Sequence, residues 1–197
     1  MKNLLTIILL MISLSSNCQK KAIRFSLGMG GNYSFYSDQT ITKKYGGIQE
    51  IEFKTGIFSK YFESFIFVSY GNSSGKTTQD RDFEELFDIS ISSLDFKCFH
   101  LGIELRVNFL KFFYISSRGG KSFFQEISFS SYDSFSSWGD FYGFSLGINH
   151  TWPTQIADFT PFLEFGFDKL FFDKILISEF DGKIKQTIKF GFIINPY

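Results

Sequence analysis

The chain has 197 residues, including 29 Phe and 9 Tyr but only 3 Pro and 2 Trp. Lysine plus arginine and aspartate plus glutamate each number 20, so there is no net basic field to attract nucleic acid. The 2 His and the one Cys that would remain after the signal-peptide cut predicted below fall short of a metal-ligand set, which argues against a zinc site.

The first residues, MKNLLTIILLMISLSSNCQKK, have the organisation of a secretory signal peptide. Lys2 supplies a positive start, and the apolar run Leu4–Leu14 is shorter than the roughly 20 residues that a membrane-spanning helix needs. Small side chains stand at Ser16 and Cys18, the third and first positions before a cut after Cys18. The pattern therefore predicts a cleaved signal peptide over residues 1–18.

Cys18 also allows a second interpretation, in which it is the lipidated residue of a lipoprotein. Ser15 and Asn17 stand where lipidation motifs normally have leucine and a small residue, so cleavage is the favoured interpretation. The mature chain, residues 19–197, has the length of one domain. It would retain only Cys98 and could form no internal disulfide.

The first predicted strand, Ala22–Tyr33, alternates apolar and polar or small residues, which is the two-residue period of a β-strand. Its apolar positions are Ile23, Phe25, Leu27 and Met29, and its polar or small positions are Arg24, Ser26, Gly28 and Gly30. No helix signal follows the glycines, so they do not form a dinucleotide-binding loop. Glycines within a strand predict a bulge or tight curvature instead.

Two further strands follow, joined by a very short turn at Ser59 and Lys60. In the strand Ile48–Phe58, the apolar set is Ile51, Phe53 and Ile57, with Thr55, and the opposite set is Glu50, Glu52, Lys54 and Gly56. The strand Tyr61–Gly71 has apolar residues on both faces, so the sequence leaves its facing open.

A long acidic stretch, Asn72–Ser93, separates the third and fourth strands. Phe83, Leu86 and Phe87 have the spacing of a short amphipathic helical turn. The carboxylates could supply a calcium site, but the EF-hand spacing and its glycine are missing. A solvated loop is therefore the favoured interpretation.

Phe99–Phe109, FHLGIELRVNF, has the most regular pattern in the chain: every odd position is apolar and every even position is polar or small. Eleven residues at about 3.3 Å each reach roughly 36 Å, enough to cross a bilayer core when tilted. Upstream, Leu94, Phe96 and Cys98 place apolar residues at even positions. This change of phase predicts a β-bulge near Cys98.

Four more strands complete the chain. They are predicted over Phe112–Arg118 (running on towards Phe129), Asp140–Thr151, Phe159–Phe171 and Gln186–Tyr197. The connections alternate between long and short, with a long one at Ser130–Gly139. Together with an export signal, this pattern predicts an all-β fold: an eight-stranded antiparallel transmembrane β-barrel with short periplasmic turns and longer extracellular loops. Outer-membrane lipid would then be its main partner.

The polar faces of the strands predict a charged lumen. Its expected members are Arg24, Glu50, Glu52, Lys54, Glu104, Arg106, Glu164 and Lys189, four acidic and four basic. An eight-stranded barrel has an interior just wide enough for its side chains to fill. Balanced charges favour a structural ion-pair plug over a path for protons or ions.

Catalysis has little support in the sequence, and no catalytic or cofactor-binding residue is predicted. A membrane hydrolase needs Ser, His and a carboxylate to converge, and serine is common enough in this chain for chance to supply that. His100 is expected to face the lumen. His150 lies beside Trp152 near a turn, and the two are expected to belong to the aromatic girdle at a membrane interface.

The segment FHLGIELRVNFLKFFYISSRGG resembles paired strands of a Bacteroidota outer-membrane β-barrel family called porin-like or PorT-like. In that family a strand of the type YLxIPLLxKY runs into one of the type xPYLGxGxxxG; here Ile103-Glu104 stands where Ile-Pro is usual. The signal ending NCQKK, the Gly-rich first strand and the final FGFIINPY are also similar. The resemblance implies a fold and an outer-membrane location, and it implies no activity.

Three functions remain open at this point. The first is a structural or interaction module that presents its loops to the outside or to envelope proteins, and the second is an accessory subunit of a transport or secretion machine. An enzyme is the least supported. The main rival fold is a soluble lipocalin-like ligand-binding barrel, in which the apolar sets would face inwards and the charges outwards.

Overall fold

The computed structural model describes residues 24–37, 47–59, 62–75, 94–110, 112–128, 134–172 and 182–196. The signal-peptide prediction and the predicted short helical turn lie outside these residues. The predicted acidic loop Asn72–Ser93 lies outside them from residue 76 onwards, and its first four residues belong to the third strand, which continues to Gly75. Within the described residues, no helix is long and apolar enough to cross a membrane.

The described chain forms one antiparallel sheet that closes on itself. Its strands are β1 (Arg24–Tyr36), β2 (Ile48–Phe58), β3 (Phe62–Gly75), β4 (Leu94–Asn108), β5 (Phe113–Ser128), β6 (Ser134–Asn149), β7 (Trp152–Pro153), β8 (Ala157–Phe172) and β9 (Ile184–Pro196). Neighbours pair in the order β6-β5-β4-β3-β2-β1-β9-β8, and β6 also pairs with β8, which closes the barrel. The two-residue β7 pairs only with β8 in the described residues, so the barrel has eight strands, as predicted.

The connections between strands lie at two opposite ends of the barrel. The short connections, from β2 to β3, from β4 to β5 and from β6 to β8, lie at the end that also holds Arg24 and Pro196, the first and last described strand residues. The opposite end joins its strands through 37–47, 76–93, 129–133 and 173–183. The predicted connection Ser130–Gly139 is shorter in the structure, because β6 already begins at Ser134.

The predicted β-bulge near Cys98 is wrong. From Leu94 to Asn108, β4 pairs residue for residue with both β3 and β5, without an extra residue on either side. Phe96 and Cys98 face the lumen together with Glu104, because the lumen contains an apolar layer at this level. The change of phase in the sequence therefore marks a change of lumen chemistry, while the strand stays regular.

The glycines of β1 likewise cause no bulge, since β1 keeps an uninterrupted register with β2 and β9. Gly28 instead makes room in the lumen for a long side chain. A Cβ atom at this position would lie 2.8 Å from Cγ of Lys54, which is closer than real Cβ atoms approach other carbons. A glycine at position 28 therefore lets the aliphatic part of Lys54 run along the wall.

The lumen has apolar and charged layers. An apolar cap at the long-connection end comprises Tyr36, Ile48, Phe67, Phe96, Cys98, Phe124, Phe141, Leu170 and Phe172. A smaller group, Phe65, Tyr114, Phe162 and Ile193, lies nearer the short turns. The structure also settles the facing of β3: Phe65 and Phe67 are buried in the lumen, while Ile66 and Tyr70 are exposed on the outer wall.

Candidate functional site: the charged lumen

The structure places seven of the eight predicted lumen residues inside the barrel, each at most 4% exposed: Glu50, Glu52, Lys54, Glu104, Arg106, Glu164 and Lys189. The eighth, Arg24, lies at the short-turn end. Its Nη1 atom contacts Oδ2 of Asp158 at 2.9 Å, and its side chain is 37% exposed. Arg24 thus belongs to the mouth of the barrel.

Arg106 lies at the centre of the half of the lumen that is nearer the short turns. Its Nη2 atom lies 2.9 Å from Oε1 of Glu104 and 3.3 Å from Oε2 of Glu164. Its Nη1 atom lies 3.5 Å from Oε2 of Glu63. The guanidinium also lies 3.9 Å from the ring centroid of Tyr114, close enough for a cation–π interaction, so this buried charge is surrounded by favourable partners.

Two lysines, Lys54 and Lys189, link the carboxylates around Arg106 to Glu52. Lys54 Nζ is 3.3 Å from Oε1 of Glu104 and 3.5 Å from Oε1 of Glu52. Lys189 Nζ is 3.0 Å from Oε1 of Glu164 and 3.7 Å from Oε2 of Glu52. Glu52 therefore joins both lysines at the middle of the barrel.

Between Glu52 and the apolar cap lie further ion pairs. Arg118 Nη1 lies 3.4 Å from Glu52 Oε2, and its other guanidinium nitrogens form a two-pronged ion pair with the carboxylate of Asp168. Lys185 Nζ lies 4.0 Å from Asp168 Oδ2 and 2.7 Å from Glu50 Oε1. The charge pairs thus form one unbroken series from Glu63 to Glu50.

We call this series the lumen network. It contains six carboxylates and five cations: Glu50, Glu52, Glu63, Glu104, Glu164 and Asp168, with Lys54, Arg106, Arg118, Lys185 and Lys189. Buried charges are costly unless they are paired and hydrogen-bonded. The near balance of the two signs meets the pairing part of that requirement, although Arg106 Nη1 and Lys189 Nζ make ion pairs without a hydrogen bond.

At the end nearer the apolar cap, the lumen network lies beside Cys98 and His100, whose side chains are both buried. The ligand atoms of Glu50, Cys98 and His100 all lie within 4.8 Å of one another. His100 Nδ1 is 2.6 Å from the hydroxyl of Ser122, and His100 Nε2 is 3.2 Å from Lys185 Nζ. The trio has the residue types of a metal-ligand set.

Serine, histidine and a carboxylate also meet here, as a hydrolase would require, in the form of Ser122, His100 and Glu50. The hydroxyl of Ser122 is fully buried, however, so a substrate cannot reach it in this structure. The ammonium group of Lys185 lies between His100 and Glu50, whose nearest atoms are 3.8 Å apart. The arrangement suits a packed polar cluster better than an active site.

Sequence reasoning missed several members of the lumen network: Glu63, Arg118, Asp168 and Lys185. Glu63 and Asp168 share the facing of polar positions on β3 and β8, a signal that was present in the alternation. Arg118 lies within β5, which continues to Ser128 in agreement with the predicted run towards Phe129, but the sequence does not assign the facing of this strand. Lys185 lies just before the predicted strand Gln186–Tyr197, whereas β9 begins at Ile184.

The outer wall has the opposite chemistry. Large apolar side chains are exposed there on every long strand, including Phe53, Ile66, Ile103, Ile115, Phe144, Phe165 and Phe190. At the short-turn end, the His150 ring lies 5.6 Å from that of Trp152, which stacks on Phe159 at 6.1 Å. Such an exterior, with aromatic rings at one rim, is typical of a barrel surrounded by lipid.

Comparisons with known proteins agree with this fold. No protein-family model matches the chain, and no curated protein matches it in sequence. Among solved structures, Ail, the attachment invasion locus protein of Yersinia pestis, matches over 90% of this chain and 100% of its own, with 14% identity and a TM-score of 0.51. Neisserial surface protein A (NspA) matches over 86% of this chain and 96% of its own, with 10% identity and a TM-score of 0.55.

At these identities the likeness shows the fold alone, which is that of small outer-membrane β-barrels. The location follows from the wall itself. A closed sheet satisfies its backbone hydrogen bonds without water, and its exposed apolar side chains need hydrocarbon around them. The protein is therefore a small outer-membrane β-barrel.

Proposed function

We propose that the protein is a structural or interaction module of the outer membrane, with a lumen that is plugged by ion pairs and conducts no ions. The lumen network carries this proposal. Its charged side chains are linked from Glu63 near the short turns to Glu50 beneath the apolar cap, and none is more than 6% exposed. With the interior occupied in this way, the loops and the rims are the surfaces left for partners.

The chemistry of the network favours a plug over an ion path. A conducting path needs binding that is weak enough for ions to leave. Here each fixed cation contacts at least one carboxylate within 3.5 Å, so a mobile ion would have to displace a bound side chain. The apolar cap then closes the end of the network that faces the long connections.

Planar-bilayer recording of the purified full chain tests this proposal. We expect no stepwise current at moderate voltage in molar potassium chloride. Protein recovered from the bilayer lipid must retain heat-modifiable gel mobility, so that a silent membrane reflects a closed barrel and not an empty bilayer. Discrete current steps that scale with salt concentration would contradict the plug.

Extraction provides a separate test of the membrane location. The soluble lipocalin-like alternative requires apolar residues inside and charges outside, which is the reverse of the observed arrangement at Ile103 and Glu104. We expect the native protein to partition into detergent and to resist osmotic shock. Release as a soluble protein would contradict the outer-membrane assignment.

Several finer features remain part of this proposal. They are cleavage after Cys18 rather than its lipidation, a PorT-like relationship within Bacteroidota, and the absence of enzymatic activity. The alternative role is that of an accessory subunit in an envelope transport or secretion machine. Affinity isolation from intact envelopes distinguishes the two: a stoichiometric complex with channel or motor proteins favours the accessory role, and isolation of the barrel alone favours the structural one.

A further inference from the structure

We propose that Glu50, Cys98 and His100 form a binding site for a thiophilic divalent cation of the zinc class, in the lumen at the inner side of the apolar cap, to which Cys98 belongs. The ligand atoms of these three residues lie within 4.8 Å of one another, and all three side chains are buried. Thiolate, imidazole and carboxylate together are a ligand set that zinc accepts.

Strand register, rather than sequence spacing, brings the three residues together. Glu50 of β2 pairs with Gly71 of β3, and Gly71 pairs with Cys98 of β4. A Cβ atom at Gly71 would lie 3.0 Å from the sulfur of Cys98 and would also overlap the Glu50 side chain. A glycine on the middle strand therefore allows ligands from the two outer strands to meet across it.

The surrounding hydrogen bonds orient the ligands as in known metal sites. Ser122 lies 2.6 Å from Nδ1 of His100, which leaves Nε2 directed towards Glu50. Ser34 and Ser69 donate hydrogen bonds to the two carboxylate oxygens of Glu50, each at 3.1 Å. Such outer partners fix the orientation of metal-bound imidazoles and carboxylates.

Lys185 shows that this position already attracts a cation. Its ammonium group lies 2.7 Å from Glu50 and 3.2 Å from His100 Nε2. When a divalent ion binds, the thiol of Cys98 would lose its proton to solvent, and the Lys185 ammonium would move from Glu50 towards Asp168 Oδ2, from which it is already only 4.0 Å away. One proton leaves as two positive charges enter, so the site gains one positive charge, which balances the excess carboxylate of the lumen network.

The experiment uses the full chain with Cys18→Ser, so that Cys98 is the single cysteine. The protein is refolded from urea into detergent with Zn²⁺, because the apolar cap covers the folded site, and it is then dialysed against EDTA. We expect about one zinc per folded barrel by elemental analysis, and refolding with Co²⁺ should produce a sulfur-to-cobalt charge-transfer band.

Variants separate this site from adventitious binding. Cys98→Ser should lower zinc retention by more than about tenfold, and Ser122→Ala should weaken it less, through loss of the imidazole's orientation. His150→Ala, which changes the other histidine at the outer rim, should leave retention unchanged. Zinc that is absent, or equally retained in Cys98→Ser, would overturn the proposal. If Cys98→Ser does not fold, the cobalt spectrum of the parent chain decides, and absence of the sulfur band would overturn it.

Discussion

The outer wall and the lumen of this barrel follow opposite rules, although successive residues of one strand build both. On β4, Ile103 is 46% exposed, while its neighbour Glu104 is fully buried. In a soluble protein the isoleucine would be inside and the glutamate outside. The same two-residue alternation therefore puts the polar residues inside and the apolar residues outside when hydrocarbon surrounds the wall.

The two surfaces also differ in what stabilises them. Exposed side chains such as Phe144 and Leu146 gain from contact with lipid and need no particular partner. The lumen side chains depend on specific neighbours, because an unpaired charge in a dry interior costs several kcal/mol. The cost in folding free energy of a wall substitution should therefore depend on its depth in the membrane. The cost of a lumen substitution should depend on which charged partners remain.

The largest effects are expected where a buried ion pair is broken, as in Glu104→Ala. This change leaves Lys54 and Arg106 buried without one of their carboxylate partners, at 3.3 and 2.9 Å respectively. We expect the free energy of unfolding to fall by about 3–5 kcal/mol, measured with urea in detergent or lipid. Glu104→Gln is the matched control for shape. A loss below about 0.5 kcal/mol would show that Glu104 is outside the stabilising network.

Ile103→Arg tests the opposite surface. Ile103 lies near the middle of β4 on the outer wall, where an arginine should cost roughly 2–4 kcal/mol of folding free energy. The same substitution at Phe109, just beyond the end of β4, should cost about 0–1 kcal/mol. Equal costs at both positions would indicate a protein core around this face instead of a bilayer.

Local alternation in the sequence was sufficient to predict the barrel and the facing of the strands whose two faces differ clearly, such as β2 and β4. It left the facing of β3 open; in the structure Phe65 and Phe67 face the lumen, while Ile66 is exposed on the outer wall. Both faces of that strand are apolar, since the lumen has apolar layers of its own. Hydropathy alone cannot distinguish an apolar lumen layer from a lipid-facing one.

Contacts between distant strands were the other feature that the sequence could not supply. Cys98 and His100 stand two residues apart, but Glu50 reaches them only through pairing across Gly71. Likewise, Lys185 lies outside the predicted strand Gln186–Tyr197, because β9 begins two residues earlier, at Ile184. Register and exact strand ends depend on the whole sheet, so a reading of single segments misses them.

A moderate effect is expected from Tyr114→Phe. The Tyr114 hydroxyl donates a hydrogen bond to Glu164 Oε2 at 2.9 Å, while its ring packs on Arg106. Loss of a buried hydrogen bond to a charged group should lower the unfolding free energy by about 1.5–3 kcal/mol, with the ring contact preserved. Tyr142→Phe is the matched control on the wall, where the side chain is 62% exposed. If both variants lose the same stability, the lumen hydroxyl has no special role.

The smallest effect is expected from Lys121→Ala, which breaks an ion pair of good geometry on the outer surface. Lys121 Nζ lies 2.6 Å from Asp140 Oδ1, but the two side chains are 59% and 41% exposed. We expect a loss of at most about 1 kcal/mol in urea unfolding, shrinking further as salt is added.

Lys189→Ala provides the buried counterpart, since Lys189 lies 3.0 Å from Glu164 with neither side chain exposed. Its loss should cost about 3–5 kcal/mol and respond little to salt, because a plugged lumen would keep ions in solution away from the pair. The two lysines make contacts of similar length, so burial is the main difference between them. Similar costs for both substitutions would mean that the lumen is hydrated, and the plug would then lose its physical basis.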